Sequence, residues 1–125
     1  MARKKTPTKI ALISDIHGNL PALEAVLDDA ARHEVDEIWN LGDMLGYAPF
    51  PNEVLASLRQ VGAVNLIGNY DCKVLNFRQR RREWKRKKAP AKYVGFQWNE
   101  ARLRKASRVF LESLPEQIRR PIGTL

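Results

Sequence analysis

Three short apolar runs, each stopped by a turn rich in glycine or acidic residues, constrain this chain more than any other feature. Lys9 to Ser14 (Lys-Ile-Ala-Leu-Ile-Ser) runs into Asp15-Ile16-His17. Asp36 to Leu41 runs into Gly42-Asp43, and Ala63 to Ile67 into Gly68-Asn69-Tyr70-Asp71. Runs this short and this continuous read as strands, and the first is expected to be buried on both faces. Helical patterns lie between them. Asn19 can cap a helix that tolerates Pro21 in its first turn, and Leu23, Val26, Leu27 and Ala30 then share one face. After a loop over 42–51, broken by Gly46, Pro49 and Pro51, Val54, Leu58 and Val61 mark a second helix. Strands alternating with helices predict an α/β fold with a mostly parallel sheet and flanking helices.

With 125 residues and 44% hydrophobic content, the chain suits one domain with a real core. Its net charge of +8 conceals a split. Residues 10–72 carry ten acids and two bases, and residues 73–125 carry sixteen bases and four acids. An acidic front half can hold cations, and a basic back half can attract phosphates or nucleic acid. No stretch reads as a membrane span, and the basic start lacks the apolar segment of a secretory signal. One cysteine, Cys72, excludes an internal disulfide and reads as a packing thiol, which fits a cytoplasmic setting. The expected organisation is a basic tail over 1–8 and a single domain over 9–125 with a basic insertion at 78–88.

That insertion, Arg78 to Lys88, holds eight bases, one acid and Trp84. One reading is a nucleic-acid contact with Trp84 stacking on bases. Another is a solvated helix or mobile segment, which the lack of any recognition motif favours. A third is an arm that steers a phosphorylated substrate. Beyond Pro90, Leu103, Ala106, Phe110 and Leu114 mark an amphipathic helix closed by Pro115, and 117–125 reads as the start of another strand.

In a parallel sheet the strand C-termini share one edge, where ligand sites form. The three turns are therefore expected side by side. Asp15 and His17 can turn two donors toward one ion, Asp43 can bridge two ions, and Asn69 offers a neutral oxygen. Gly18, Gly42, Gly46 and Gly68 permit the tight turns such a crevice needs. Taken singly, each motif reads as an ordinary polar turn; taken in order, each after a strand, they read as metal ligands. His33 reads as a helix-end residue without a ligand role.

The stretch from Ile13 to Leu20, with Leu41-Gly42-Asp43 and Gly46-Tyr47, resembles the calcineurin-like metallophosphoesterase superfamily, and within it the small prokaryotic phosphodiesterases. The likeness is close over residues 9–77. The family pattern is D-x-H, G-D, G-N-H-D/E, a lone His, then G-H-x-H. The resemblance implies the N-terminal half of an α/β sandwich and two divalent metal ions, with manganese first and iron, nickel, zinc or magnesium as alternatives. Asp15 and His17 would hold the first ion, Asp43 would bridge both, and Asn69 would hold the second. Asp71 would orient a ligand or the proton donor, and Tyr70 would stand where the family has its catalytic His. The implied reaction is hydrolysis of a phosphodiester by a metal-bridging hydroxide.

Two departures stand out. Tyrosine, with an ordinary pKa of about 10, is a weaker acid than the His it replaces, so altered substrate preference or weaker activity is expected. His17 and His33 are the only histidines, so the lone His and the G-H-x-H are absent and the second metal site is expected to be incomplete. The rival expectation is a non-catalytic remnant or binding module that uses 78–88 for nucleic acid or a protein partner. A homo-oligomer joined across the unpaired sheet edge is a further expectation.

Overall fold

The computed structural model describes residues 8–122. Most of the expected tail therefore lies outside the described residues, as do the last three residues of the expected C-terminal strand. The element order is β1 (Ile10–Ile13), α1 (Leu20–Arg32), β2 (Glu37–Asn40), α2 (Pro51–Gln60), β3 (Val64–Asn65), α3 (Asn69–Leu75), α4 (Phe77–Lys87), α5 (Pro90–Arg102) and α6 (Lys105–Glu112). The strands form one parallel sheet in the order β1-β2-β3, with Ile13 opposite Asn40 and Asn40 opposite Asn65. That register brings the three strand ends to one edge.

The front half follows its local signals. The Asn19 side chain accepts a hydrogen bond from Ala22 N at 3.2 Å and caps α1, with Pro21 in the first turn. At the other end His33 caps the helix, its Nδ1 2.9 Å from Asp29 O, and Glu34 takes the left-handed conformation that ends many helices. Leu23 and Ala30 are buried, but Val26 and Val61 are each 44% exposed, so the apolar stripes of α1 and α2 are narrower than the sequence pattern suggests.

The first strand is not buried on both faces. Ile13 joins the helix-covered core, whereas Leu12 is 63% exposed on the opposite face. There Leu12, Trp39, Leu41, Val64 and Leu66 line an open groove of about 360 Å³, flanked only by Ile118, Arg120 and Ile122. Those last residues belong to the expected fourth strand, yet 117–122 forms none. Pro121 has no N–H to donate to a ladder, and the segment is tied down by side chains instead, Arg120 pairing with Glu37 at 3.1 Å.

The basic run forms α4, a regular helix. Trp84 is 7% exposed and packs with Phe77 and Phe96 at ring distances of 6.3 and 5.7 Å. A buried indole cannot stack on bases, so Trp84 is a core anchor and the surrounding arginines form the solvated face. Helix α5 has no strong sequence signal. Its buried residues are Gly95, Phe96, Asn99 and Glu100, a helical spacing hidden because half of it is polar. These polar groups are all partnered. Glu100 meets Arg78 and Arg108, each at 3.0 Å. The Asn52 side chain accepts from Arg104 N and Ser107 Oγ and donates to Arg102 O, which ties α2 to the α5–α6 turn. The amphipathic helix expected from Leu103 to Leu114 is confined to α6, with Leu111 at its buried centre.

Candidate metal centre

Asp15, His17 and Asp43 come together at the strand-end edge, and each offers a ligand atom within 4.8 Å of the others. Among the described residues they are the only such group of His, Cys, Asp and Glu. All three have left-handed backbone, with φ of 57°, 50° and 58°. This conformation costs an ordinary residue about 1–2 kcal/mol, although Asp and His are among the types that tolerate it best. It persists because the two loops are laced together. Asp15 N donates to Gly42 O and His17 N to Asp43 O, both at 3.0 Å, while Gly18 N donates to Met44 O at 2.7 Å. Strain held this firmly is a mark of functional loops.

Each donor is oriented by a neighbour. His17 Nδ1 donates to Leu45 O at 2.8 Å, which fixes the tautomer and leaves the Nε2 lone pair facing Asp15, 3.5 Å from Asp15 Oδ1. Ser14 Oγ donates to Asp15 Oδ2 at 2.7 Å. Asp43 Oδ1 accepts from Tyr70 N at 2.9 Å. Two carboxylates and one imidazole suit a divalent cation. Donors sharing one cation at bonds of about 2.1 Å lie roughly 3.0–3.6 Å apart, so closing the present spacing by about 1 Å would suffice. The residues present therefore fit one metal ion.

Asp71 is fully buried below the site. Its carboxylate accepts from Asp43 N (3.0 Å), Met44 N (2.9 Å), Leu45 N (3.0 Å) and Gly68 N (2.9 Å). Burial pushes its pKa up to about 6, opposed by the Gly68 and Leu45 amides. With both oxygens occupied by backbone, it shapes the Asp43 loop and does not face the crevice. Gly68 is required for the same reason, since a Cβ there would collide with Asp43 N and Oδ1. Asn69 follows as the exposed first residue of α3.

Tyr70 forms one wall. Its hydroxyl is 2.9 Å from that of Tyr47, and its ring stands 4.9 Å from His17 and 5.2 Å from Phe96. The hydrogen bond from Tyr47 holds the Tyr70 phenol below its ordinary pKa, with Lys92 and Lys73 acting in the same direction, while Tyr47 is raised. Cys72 is half-buried, and burial raises its pKa, as for an inert packing thiol.

Sequence reasoning missed the supports. Asn99 is fully buried 53 positions from Gly46, donating to Gly46 O at 2.6 Å and Gly95 O at 2.8 Å and accepting from Gly46 N at 3.4 Å. The Asn40 side chain accepts from Gly42 N at 3.2 Å and donates to Asn65 Oδ1 at 3.1 Å, which joins two strand ends. Asn40 stands inside an apolar run, and that break in pattern was the one signal available; for Asn99 there was none.

The comparisons with known proteins agree with this geometry. A family model described as calcineurin-like phosphoesterase matches residues 8–115. An uncharacterised protein of Methanocaldococcus jannaschii is 46% identical over 66 residues, covering 53% of this chain and 27% of the relative. A symmetrical bis(5'-nucleosyl)-tetraphosphatase of Erwinia tasmaniensis is 39% identical over 67 residues, covering 51% of this chain and 24% of the relative. The crystal structure of a metallophosphoesterase from Sphaerobacter thermophilus superposes with a TM-score of 0.72 at 35% identity, covering 92% of this chain and 44% of that one. The chain thus matches about a quarter of each curated relative and under half of the solved structure. No helix among the described residues is long and apolar enough to cross a membrane. By its fold and the extent of the family match, the chain belongs to the calcineurin-like phosphoesterase family.

Proposed function

We propose that this chain carries the metal-binding half of a phosphodiester hydrolase. The observation that carries the reading is the convergence of Asp15, His17 and Asp43, all in strained and mutually bonded loops, on one point. Asp15 and His17 would hold a first divalent cation, Asp43 would serve both ions of a pair, and Asn69 would offer its oxygen to the second, whose ligand set is incomplete in these residues. A divalent cation supplies Lewis-acid polarisation of a phosphoryl oxygen and a nucleophile at neutral pH. Manganese is the ion to test first.

The chain's own groups do the positioning. His17 is held in the ligating tautomer by Leu45 O. Asp71 fixes three consecutive amides of the Asp43 loop and so aims the Asp43 carboxylate. The Tyr70 hydroxyl, shared with Tyr47, supplies a hydrogen-bond donor at the crevice wall for the leaving oxygen. The name of the Erwinia relative supports a phosphate ester as substrate.

Calorimetric titration with Mn²⁺, run beside hydrolysis of bis(4-nitrophenyl) phosphate, tests the reading. Binding and turnover that both disappear in Asp43→Ala support it. Turnover that survives the substitution removes the site assignment.

A further inference from the structure

Three lysines from three different elements converge on the Tyr70 and Phe96 rings. Lys73 lies on α3, Lys88 caps α4 and Lys92 lies on α5, and each is half-buried. The Lys73 and Lys92 ammonium groups stand 5.3 and 5.9 Å from the centre of the Tyr70 ring. Lys88 Nζ is 5.7 Å from the centre of the Phe96 ring, which itself contacts Tyr70 at 5.2 Å. None of the three pairs with a carboxylate among the described residues, where the ion-paired lysines and arginines are Arg78, Arg80, Lys87, Arg108 and Arg120.

Like charges brought together without a counterion raise the energy of the fold, and aromatic faces offset only part of it. Burial and the charges of Lys73 and Lys92 push the Lys88 pKa down. A multiply charged anion would relieve all three at once. The location gives the arrangement a use, because the Tyr70 ring near Lys73 and Lys92 is also the ring that stands 4.9 Å from His17. Through His17 and Tyr70 the lysines therefore border the crevice formed by Asp15, His17 and Asp43.

We propose that Lys73, Lys88 and Lys92 form an anion subsite that takes a second phosphate of the substrate, which makes phosphate chains the preferred ligand class. The substrate part of this rests on the hydrolase reading above; the anion site does not. The remaining basic residues of α4 are spread over a solvated face, and their binding to nucleic acid would not depend on these three lysines.

The test is calorimetric titration of inorganic tripolyphosphate into the full chain, with and without Mn²⁺. Replacing all three lysines by glutamine is compared with a triple replacement of Arg81, Arg82 and Arg86, which removes the same charge from the exposed face of α4. The expected result is an affinity loss of about tenfold or more in the lysine variant and less than about threefold in the arginine variant. Equal losses, or no binding by the parent chain, overturn the subsite. Should the triple variant melt early, Lys92→Gln alone is read against Lys92→Arg, and a loss in Lys92→Gln with affinity kept in Lys92→Arg is expected. A loss in Lys92→Arg matching that in Lys92→Gln would overturn the charge argument. Lysine-dependent tripolyphosphate binding without any hydrolysis would support the subsite and count against the hydrolase reading alone. Hydrolysis with no lysine dependence of tripolyphosphate binding would do the reverse.

Discussion

The strand-end edge of the sheet and the helical back half of this chain solve different problems. At the edge, Asp15, His17 and Asp43 are held by bonds between loop backbones, with left-handed φ angles that, among the described non-glycine residues, only Glu34 shares. In the back half, Trp84, Phe96, Asn99 and Glu100 sit in ordinary helices, where tertiary burial gives them their importance. The first region gathers the candidate ligand side chains and the second supplies rigidity. The two meet where Asn99 grips the loop at Gly46 and where Gly95 lets α5 approach it. A metal site built on strained loops needs such a backing, because the strain is released if either side gives way.

The sharpest break between the regions is expected from Asp43→Ala. On the hydrolase reading, loss of the proposed bridging ligand is expected to lower hydrolysis about a thousandfold, or ~4 kcal/mol in the barrier. Chemical denaturation should show that the variant is still folded. In the back half the order reverses. Trp84→Ala is expected to cost about 3 kcal/mol of stability by the same denaturation, against roughly 0.5 kcal/mol or less for Arg82→Gln on the solvated face of the same helix. Near-equal costs would mean that the indole is not the anchor.

Asn99→Leu probes the junction. It leaves Gly46 O and Gly46 N without their buried partner, and a loss of about 2 kcal/mol is expected. Weaker Mn²⁺ binding should accompany it if the back half supports the site. Unchanged Mn²⁺ affinity would show that the loops hold themselves. The smallest effect is expected at Asn19→Ala. Loss of the α1 cap should cost about 1 kcal/mol in a thermal melt and leave Mn²⁺ binding unaltered.

Much of the front half was legible because its signals are local. Asn19 caps within three residues, Pro21 sets a helix start, and Gly42 and Gly68 stop strands wherever the chain places them. The back half was less legible because its decisive residues contradict their usual meaning. Trp84 lies in a run of eight bases yet is buried, and α5 turns an asparagine and a glutamate inward. Periodicity counts apolar residues and cannot see a polar core position whose partners lie about fifty residues away. Leu12 erred in the opposite direction. A continuous apolar run argues for burial on both faces, but burial depends on what covers the sheet, and here one face carries helices while the other borders an open groove.

The sequence by itself determined that Asp15, His17 and Asp43 would meet, since parallel strands bring every strand end to one edge. Short-range turn chemistry and strand pairing need no further information. Only the tertiary structure decided how those residues are aimed. The Asp71 clamp, the Leu45 carbonyl on His17, the Asn99 brace and the three lysines around the Tyr70 and Phe96 rings all arise from contacts between segments far apart in sequence. Distances of that kind are set by the packing of the whole core, which local sequence patterns do not encode.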